Sequence, residues 1–179
     1  MGIKEHMDNY KEKLRAFNST EKYKRELMFL NSLLSEYRSL VLDYGCGLGR
    51  AAYIIGADGY DVNDYNECLS KLEYFNILPK KDYSDIYFLH SFAHLENPLD
   101  VLRHLKENYQ SQLTVITPNR YWLMQQSNRD YKPDPTVHKH YTLHELRELF
   151  EQAGYEVTLI GQFGELNNGV NERIFLQAR

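Results

Sequence analysis

Asp43, Gly45, Cys46, Gly47 and Gly49 fall in one short stretch, DYGCGLG, where glycines alternate with other residues behind a leading acid. Glycines let a backbone turn sharply and approach a ligand with no Cβ in the way, and a helix opening just beyond them aims its first amides at a carboxylate or phosphate. Arg50 stands where a GxGxxG dinucleotide fingerprint needs its third glycine, which argues against a nicotinamide site. Asp43 puts negative charge at the root of the loop, and that suits a ligand with an ammonium group better than a pyrophosphate. Further along, Asp61 ends the next β-prone run, where a carboxylate is placed to take two hydrogen bonds from a ribose diol. A strand-to-helix turn without a ligand is the plainer reading of the loop, and the placing of these two acids argues against it.

The elements that must hold these residues alternate. Residues 39–43 predict a short strand that stops at the glycine loop, and 48–55 a helix directly after it. Strands are expected at 59–63, 74–77, 85–90 and 113–117, with helices at 64–72, capped by Asp64, and at 98–105, with Pro98 in the first turn. A helix over 143–153 is capped by Thr142 and ended by Gly154, and strands at 155–160 and 173–177 are joined by a polar turn around Asn167 to Gly169. Residues 1 to about 39 read as helical, with a start signal at Ser19, Thr20 and Glu21 and an apolar face of Leu27, Leu30, Leu33 and Leu34. Alternation of this kind implies a largely parallel sheet covered on both faces, with an antiparallel last strand.

Length and composition fit one domain. The chain has 179 residues, of which 42% are hydrophobic and 26% charged, an ordinary balance for a folded globular protein. We divide it into an N-terminal helical lid (1–38), a cofactor-binding half (39–117), a cap loop over the substrate (118–142), and a C-terminal helix and strand pair (143–179). The cap stretch is too long for an ordinary connection, which marks it as functional. No apolar run approaches the roughly 20 residues needed to span a bilayer, and the first residues are polar, so a cytoplasmic protein without membrane attachment is expected. The formal net charge is -4 and the basic residues form no block, which argues against nucleic acid as the main ligand. The two cysteines, Cys46 and Cys68, form no CxxC pair, so neither a disulfide framework nor a zinc ribbon is expected.

S-adenosylmethionine carries the groups that the loop asks for: a carboxylate, an ammonium and a ribose diol. Here VLDYGCGLGR resembles the first motif of class I S-adenosylmethionine-dependent methyltransferases, and GYDVND their second-strand motif. DIYFLHSFAHLENPLDVLRHL resembles their fourth strand and the helix after it. ITPNRYWL, followed by HKHYTLHELRELFEQAGYEV, resembles the fifth strand and late helix-strand unit of the small-molecule branch, which includes ubiquinone-biosynthesis and sugar O-methyltransferases. The resemblance implies a Rossmann-like α/β fold whose mostly parallel sheet has seven strands, or a reduced number, with an antiparallel last strand. It also implies S-adenosylmethionine as cofactor and S-adenosylhomocysteine (SAH) as product.

Carried over by position, the resemblance sets Asp43, Gly45, Cys46, Gly47 and Gly49 around the methionine part of the cofactor and Asp61 on its ribose. Val62 would lie against the adenine, Asn76 and Ile77 would line its edge, and His90 would sit near the methionine. Two departures stand out: the first helix is clipped, and Asn76 replaces the acid that commonly receives the adenine amino group. Methyl transfer from a sulfonium is driven largely by positioning, and a base is needed mainly for a hydroxyl of high pKa. His94, just after the fourth strand, and His140, in the cap, are the expected catalytic bases, and His138 is a third candidate. The plainer role of His94 is to order its loop, and that of His138 and His140 is as surface residues. His138 and His140 form an HxH pair, yet no acid at suitable spacing supports a metal.

Arg120, Tyr121, Trp122, His138 and Tyr141 are expected to bind the acceptor, although an aromatic cluster of this kind more often serves packing. The expected reaction is methylation of a small molecule or glycan, at a hydroxyl oxygen of a sugar or phenol. The competing class is N-methylation of RNA or protein, for which the sequence lacks an Asn/Asp-Pro-Pro-Tyr motif; TPNR is not one. A non-catalytic cofactor-binding relic is the reading outside the enzymes.

Overall fold

The computed structural model describes residues 3–34, 39–63, 73–126, 134–167 and 169–179. Two helices lead the chain, α1 (Ile3–Asn18) and α2 (Glu21–Leu33), where the sequence suggested a helical stretch with a start signal. That signal is a helix boundary: the Thr20 side chain accepts the Tyr23 amide at 3.1 Å and caps α2. Tyr23, Glu26, Leu27 and Leu30 form the buried stripe of α2, spaced three and four residues apart as one helix face requires.

The strands are β1 (Val41–Tyr44), β2 (Asp58–Tyr60), β3 (Tyr74–Phe75), β4 (Asp85–Leu89), β5 (Gln112–Pro118), β6 (Val157–Asn167) and β7 (Val170–Ala178). Between them lie α3 (Arg50–Ile55), α4 (Pro98–Asn108), α5 (Arg120–Gln126) and α6 (Leu143–Gln152). They build one seven-stranded sheet in the order β3-β2-β1-β4-β5-β7-β6. β1 to β5 are mutually parallel, and β7 runs antiparallel to both β5 and β6. The antiparallel strand is thus last in the chain but not at the sheet edge, which β6 occupies.

Side chains alternate across the sheet with the period of two that strands impose. Ile86 and Phe88 of β4 face a core shared with Leu102 and Leu105 of α4 and Leu146 and Phe150 of α6. Tyr87 points the other way, into a second core with Leu27 and Leu30 of α2 and Ala51 and Ala52 of α3. α6 begins with a reciprocal capping box: the Thr142 hydroxyl accepts the Glu145 amide at 3.2 Å and the Glu145 carboxylate accepts the Thr142 amide at 2.9 Å.

Several boundaries differ from expectation. The helix after the glycine loop starts at Arg50, because Gly49 has φ +76° and serves as its cap. The cap stretch is not all loop: Asn119 accepts the Tyr121 amide at 3.1 Å and opens α5, which carries residues 120–126. The β6 strand extends well beyond 160, to Asn167, through two register shifts. The helix expected at 64–72, with Cys68, lies outside the described residues. Among the described residues no helix is long and apolar enough to cross a membrane, and no group of histidine, cysteine and acids is arranged to hold a metal.

Candidate active site

Strand order reverses between β1 and β4, and in open α/β sheets such a switch point leaves a crevice at the C-terminal strand ends. A cavity of about 680 Å³ opens there. Tyr44, Tyr60, Leu89 and Pro118, each at the end of a parallel strand, line it, together with Lys13, Leu14 and Phe17 from α1.

The glycine loop forms one wall. Gly45 and Cys46 donate their amides to the Tyr60 carbonyl at 2.7 and 3.0 Å, folding the loop onto the end of β2. Gly45 has φ +78°, and a Cβ on it would lie 2.4 Å from the Cβ of Ser91, so no other residue fits there without displacement. Ser91 in turn donates its hydroxyl to the Tyr44 carbonyl, which ties the ends of β4 and β1 together.

Two buried acids lie at this wall. Asp61 accepts the Gly47 amide on one carboxylate oxygen and the Asn63 amide on the other, both at 2.9 Å. Burial raises its pKa, and these amides offset only part of the rise. Asp43 is 2% exposed. Burial pushes its carboxyl up to about 8, against the neighbouring Tyr87 phenol, and the charge of Asp61 adds to the rise. A buried acid with no cation beside it among the described residues favours a cationic ligand group.

Three imidazoles reach the same cavity. His94, in a short 3-10 turn at Phe92–His94, places Nδ1 2.9 Å from the Thr136 hydroxyl and 3.2 Å from its carbonyl. The Thr136 hydroxyl donates to Asp134 at 2.7 Å, so the proton lies on His94 Nδ1 and the Nε2 lone pair is free to accept. His140 Nδ1 is buried with no hydrogen-bond partner among the described residues. Burial lowers the His140 pKa. His90 follows β4 and pairs with Glu26 of α2.

Of the residues singled out by sequence, Asp43, Gly45, Cys46, Gly47, Asp61, Val62, His90, His94 and His140 line the cavity. Gly49 lies behind it as the α3 cap. Asn76 and Ile77 are exposed beyond β3 and are not part of the wall. Neither are Arg120, Tyr121, Trp122, His138 and Tyr141. Arg120 pairs with Glu145 at 2.7 Å, Tyr121 faces solvent, and Lys22 lies over the Trp122 ring. His138 is exposed and donates its amide to the Ala93 carbonyl, while Tyr141 is buried against Phe92.

Sequence reasoning missed Glu26, Arg173, Lys13 and Thr136. A signal for Glu26 was present, since it is an acid on the apolar stripe of α2. Arg173 had none, because only the sheet order brings β7 beside β5 and under α2.

The methyltransferase domain family model matches residues 10–160. No curated protein matches the chain. Among solved structures it is similar to a magnesium protoporphyrin IX methyltransferase from Synechocystis with bound SAH, with TM-score 0.66 and 13% identity over 88% of this chain and 83% of that one. It is similar to a SAM-dependent methyltransferase from Aquifex aeolicus, with TM-score 0.65 and 20% identity over 94% and 97%. A third, from Thermotoga maritima, is described as a SAM-dependent methyltransferase and possible histamine N-methyltransferase; its TM-score is 0.70, with 18% identity over 87% of each chain. At these identities the likeness is one of fold, and the fold is that of class I. With the family model covering most of its length, the chain belongs to the methyltransferase domain family.

Proposed function

We propose that the protein is an enzyme that binds S-adenosylmethionine in this cavity and transfers its methyl group to a hydroxyl oxygen of a small molecule, a sugar or a phenol. The observation that carries the reading is the meeting of Asp43, Asp61 and the glycine loop at one wall of a cavity that also holds three imidazoles. The residues fit the cofactor: the glycine loop lines the cavity, Asp43 is a buried acid with no cation beside it among the described residues, and Asp61 presents a carboxylate at the end of β2. When bound, the cofactor supplies a methyl group on a sulfonium.

The chain's own residues do the rest. Asp61 holds ribose hydroxyls, and Asp43 supplies negative charge beneath the ammonium end. α1, with Leu14 3.5 Å from the position of a Gly47 Cβ, keeps water from the loop. His94 offers the acceptor its Nε2 lone pair, which suits a hydroxyl donor better than a cation, and the His140 ring lines the same cavity.

Calorimetry tests this, with S-adenosylmethionine and SAH against NAD as control, followed by a screen of sugars and phenols that reads SAH formation. Saturable binding of the first two and turnover of a hydroxyl compound are expected. Binding without turnover on any acceptor would favour a non-catalytic binder, and no binding would end the proposal.

A further inference from the structure

A strained backbone and a buried chain of charges converge on His90. Its φ of +66° is in the left-handed region, uncommon for a residue with a side chain, and it is the only such non-glycine among the described residues. Its amide donates to the Ile116 carbonyl at 2.8 Å, which anchors the turn to β5. The imidazole Nε2 lies 2.6 Å from one oxygen of Glu26. The other Glu26 oxygen accepts the Arg173 Nε at 2.8 Å. Nη1 of Arg173 lies 3.1 Å from Glu172, which also pairs with Lys22. Glu26 and Arg173 side chains are 4% and 7% exposed, so the carboxylate is held rigidly and away from water.

This geometry sets the tautomer. Arg173 and the hydrogen bond to His90 keep Glu26 ionised, so Nε2 must carry the proton that Glu26 accepts, and Nδ1 is left with a lone pair. Nδ1 has no hydrogen-bond partner among the described residues, and it is not among the enclosed unpaired atoms, while the ring lines the cavity. A nitrogen oriented by a carboxylate on its far side, with its lone pair open to a ligand cavity, has the arrangement of an oriented general base.

We propose that His90 is the general base of the transfer and that Glu26 is its positioning residue. This rests on the methyltransferase reading above and adds to it which group takes the acceptor's proton. As the acceptor oxygen bonds to the methyl carbon, the carbon–sulfur pair stays on sulfur, leaving a neutral thioether. The hydroxyl proton passes to His90 Nδ1, and the imidazolium so formed is matched by the Glu26 carboxylate until the proton leaves through the cavity.

The elements around the ring support a base that is neutral before the reaction. Burial lowers its pKa, Glu26 of α2 opposes that, and Arg173 of β7 and Lys22 of α2 add to the lowering. Among the described residues α1 contributes the Phe17 ring, 5.5 Å away edge to face, and β5 the Ile116 carbonyl. A plain structural pin between α2 and the sheet would use the same contacts but would not require Nδ1 to titrate or to face the ligand.

Histidine-selective 15N NMR on the full chain, with and without SAH, reads the tautomer directly. A neutral His90 with its proton on Nε2 is expected at neutral pH, and Glu26→Gln moves its titration to lower pH by removing the opposing charge. A proton on Nδ1 would overturn the proposal, since no lone pair would face the cavity. On the sugar or phenol that the acceptor screen turns over, His90→Gly fits the left-handed backbone, lowers kcat about a hundredfold or more, and is rescued by added imidazole. Saturable SAH binding persists in the variant, which separates this outcome from failure of the cofactor reading. Full turnover in His90→Gly, or an acid limb that instead follows His94→Asn or His140→Asn, would place the base elsewhere.

Discussion

The Asp61 carboxylate accepts the Gly47 amide at 2.9 Å, so the end of β2 and the crest of the glycine loop share one acid. The same carboxylate orders the loop and is proposed to meet the ribose. Asp61→Ala is expected to lower S-adenosylmethionine affinity about 10- to 100-fold by calorimetry, since hydrogen bonds to a charged group contribute roughly 1.5–3 kcal/mol. Unchanged affinity would remove Asp61 from the cofactor site.

Asp43 makes stability and binding depend on pH. Its folded pKa, raised by burial to about 8, lies above the ordinary 3.8. The folded state therefore binds the proton more tightly than the unfolded chain does. Its contribution to stability is complete below about 3.8 and is lost as pH rises through about 8. Melting temperatures of the ligand-free protein should fall over that window, and Asp43→Asn should flatten the fall. A bound ammonium group draws the carboxyl into its charged form, so cofactor binding near neutrality should release protons, read by calorimetry in buffers of different ionisation heat. No buffer dependence would separate Asp43 from the ammonium.

Gly45→Ala tests how closely β1 and β4 approach. A Cβ there meets Ser91 at 2.4 Å on a backbone already at φ +78°. Left-handed strain of about 1–2 kcal/mol and overpacking of about 1–3 kcal/mol should add, lowering the melting temperature. Ser91→Gly in the same chain should recover the packing part but not the strain. Equal stability of Gly45→Ala and the parent would show that the two strand ends move apart freely.

Local chemistry determined a large part of this protein. Alternation of strands and helices, the glycine loop, the Thr142 cap with Glu145, and the acids Asp43 and Asp61 are written in short-range patterns, because turns, caps and periodicities depend on residues a few positions apart. The methyltransferase family and its class I fold were legible from such motifs in order. The same patterns left the cap ambiguous: 118–142 read as one loop, and α5 was hidden because its start depends on Asn119 turning back to cap Tyr121.

What only the tertiary structure decided lies in long-range pairing. Glu26, His90 and Arg173 are far apart in sequence, and nothing local says that α2 crosses the ends of β4 and β7 or that β7 inserts between β5 and β6. Burial removes water from Glu26 and Arg173 and holds His90 beside them in one fixed array. In the same way Arg120, Tyr121, Trp122 and Tyr141 have the right types for binding, but the turn of α5 and the packing of Phe92 hold them away from the cavity wall. Residue type and spacing state what chemistry is available; which groups meet is set by the sheet order that brings distant strand ends to one crevice.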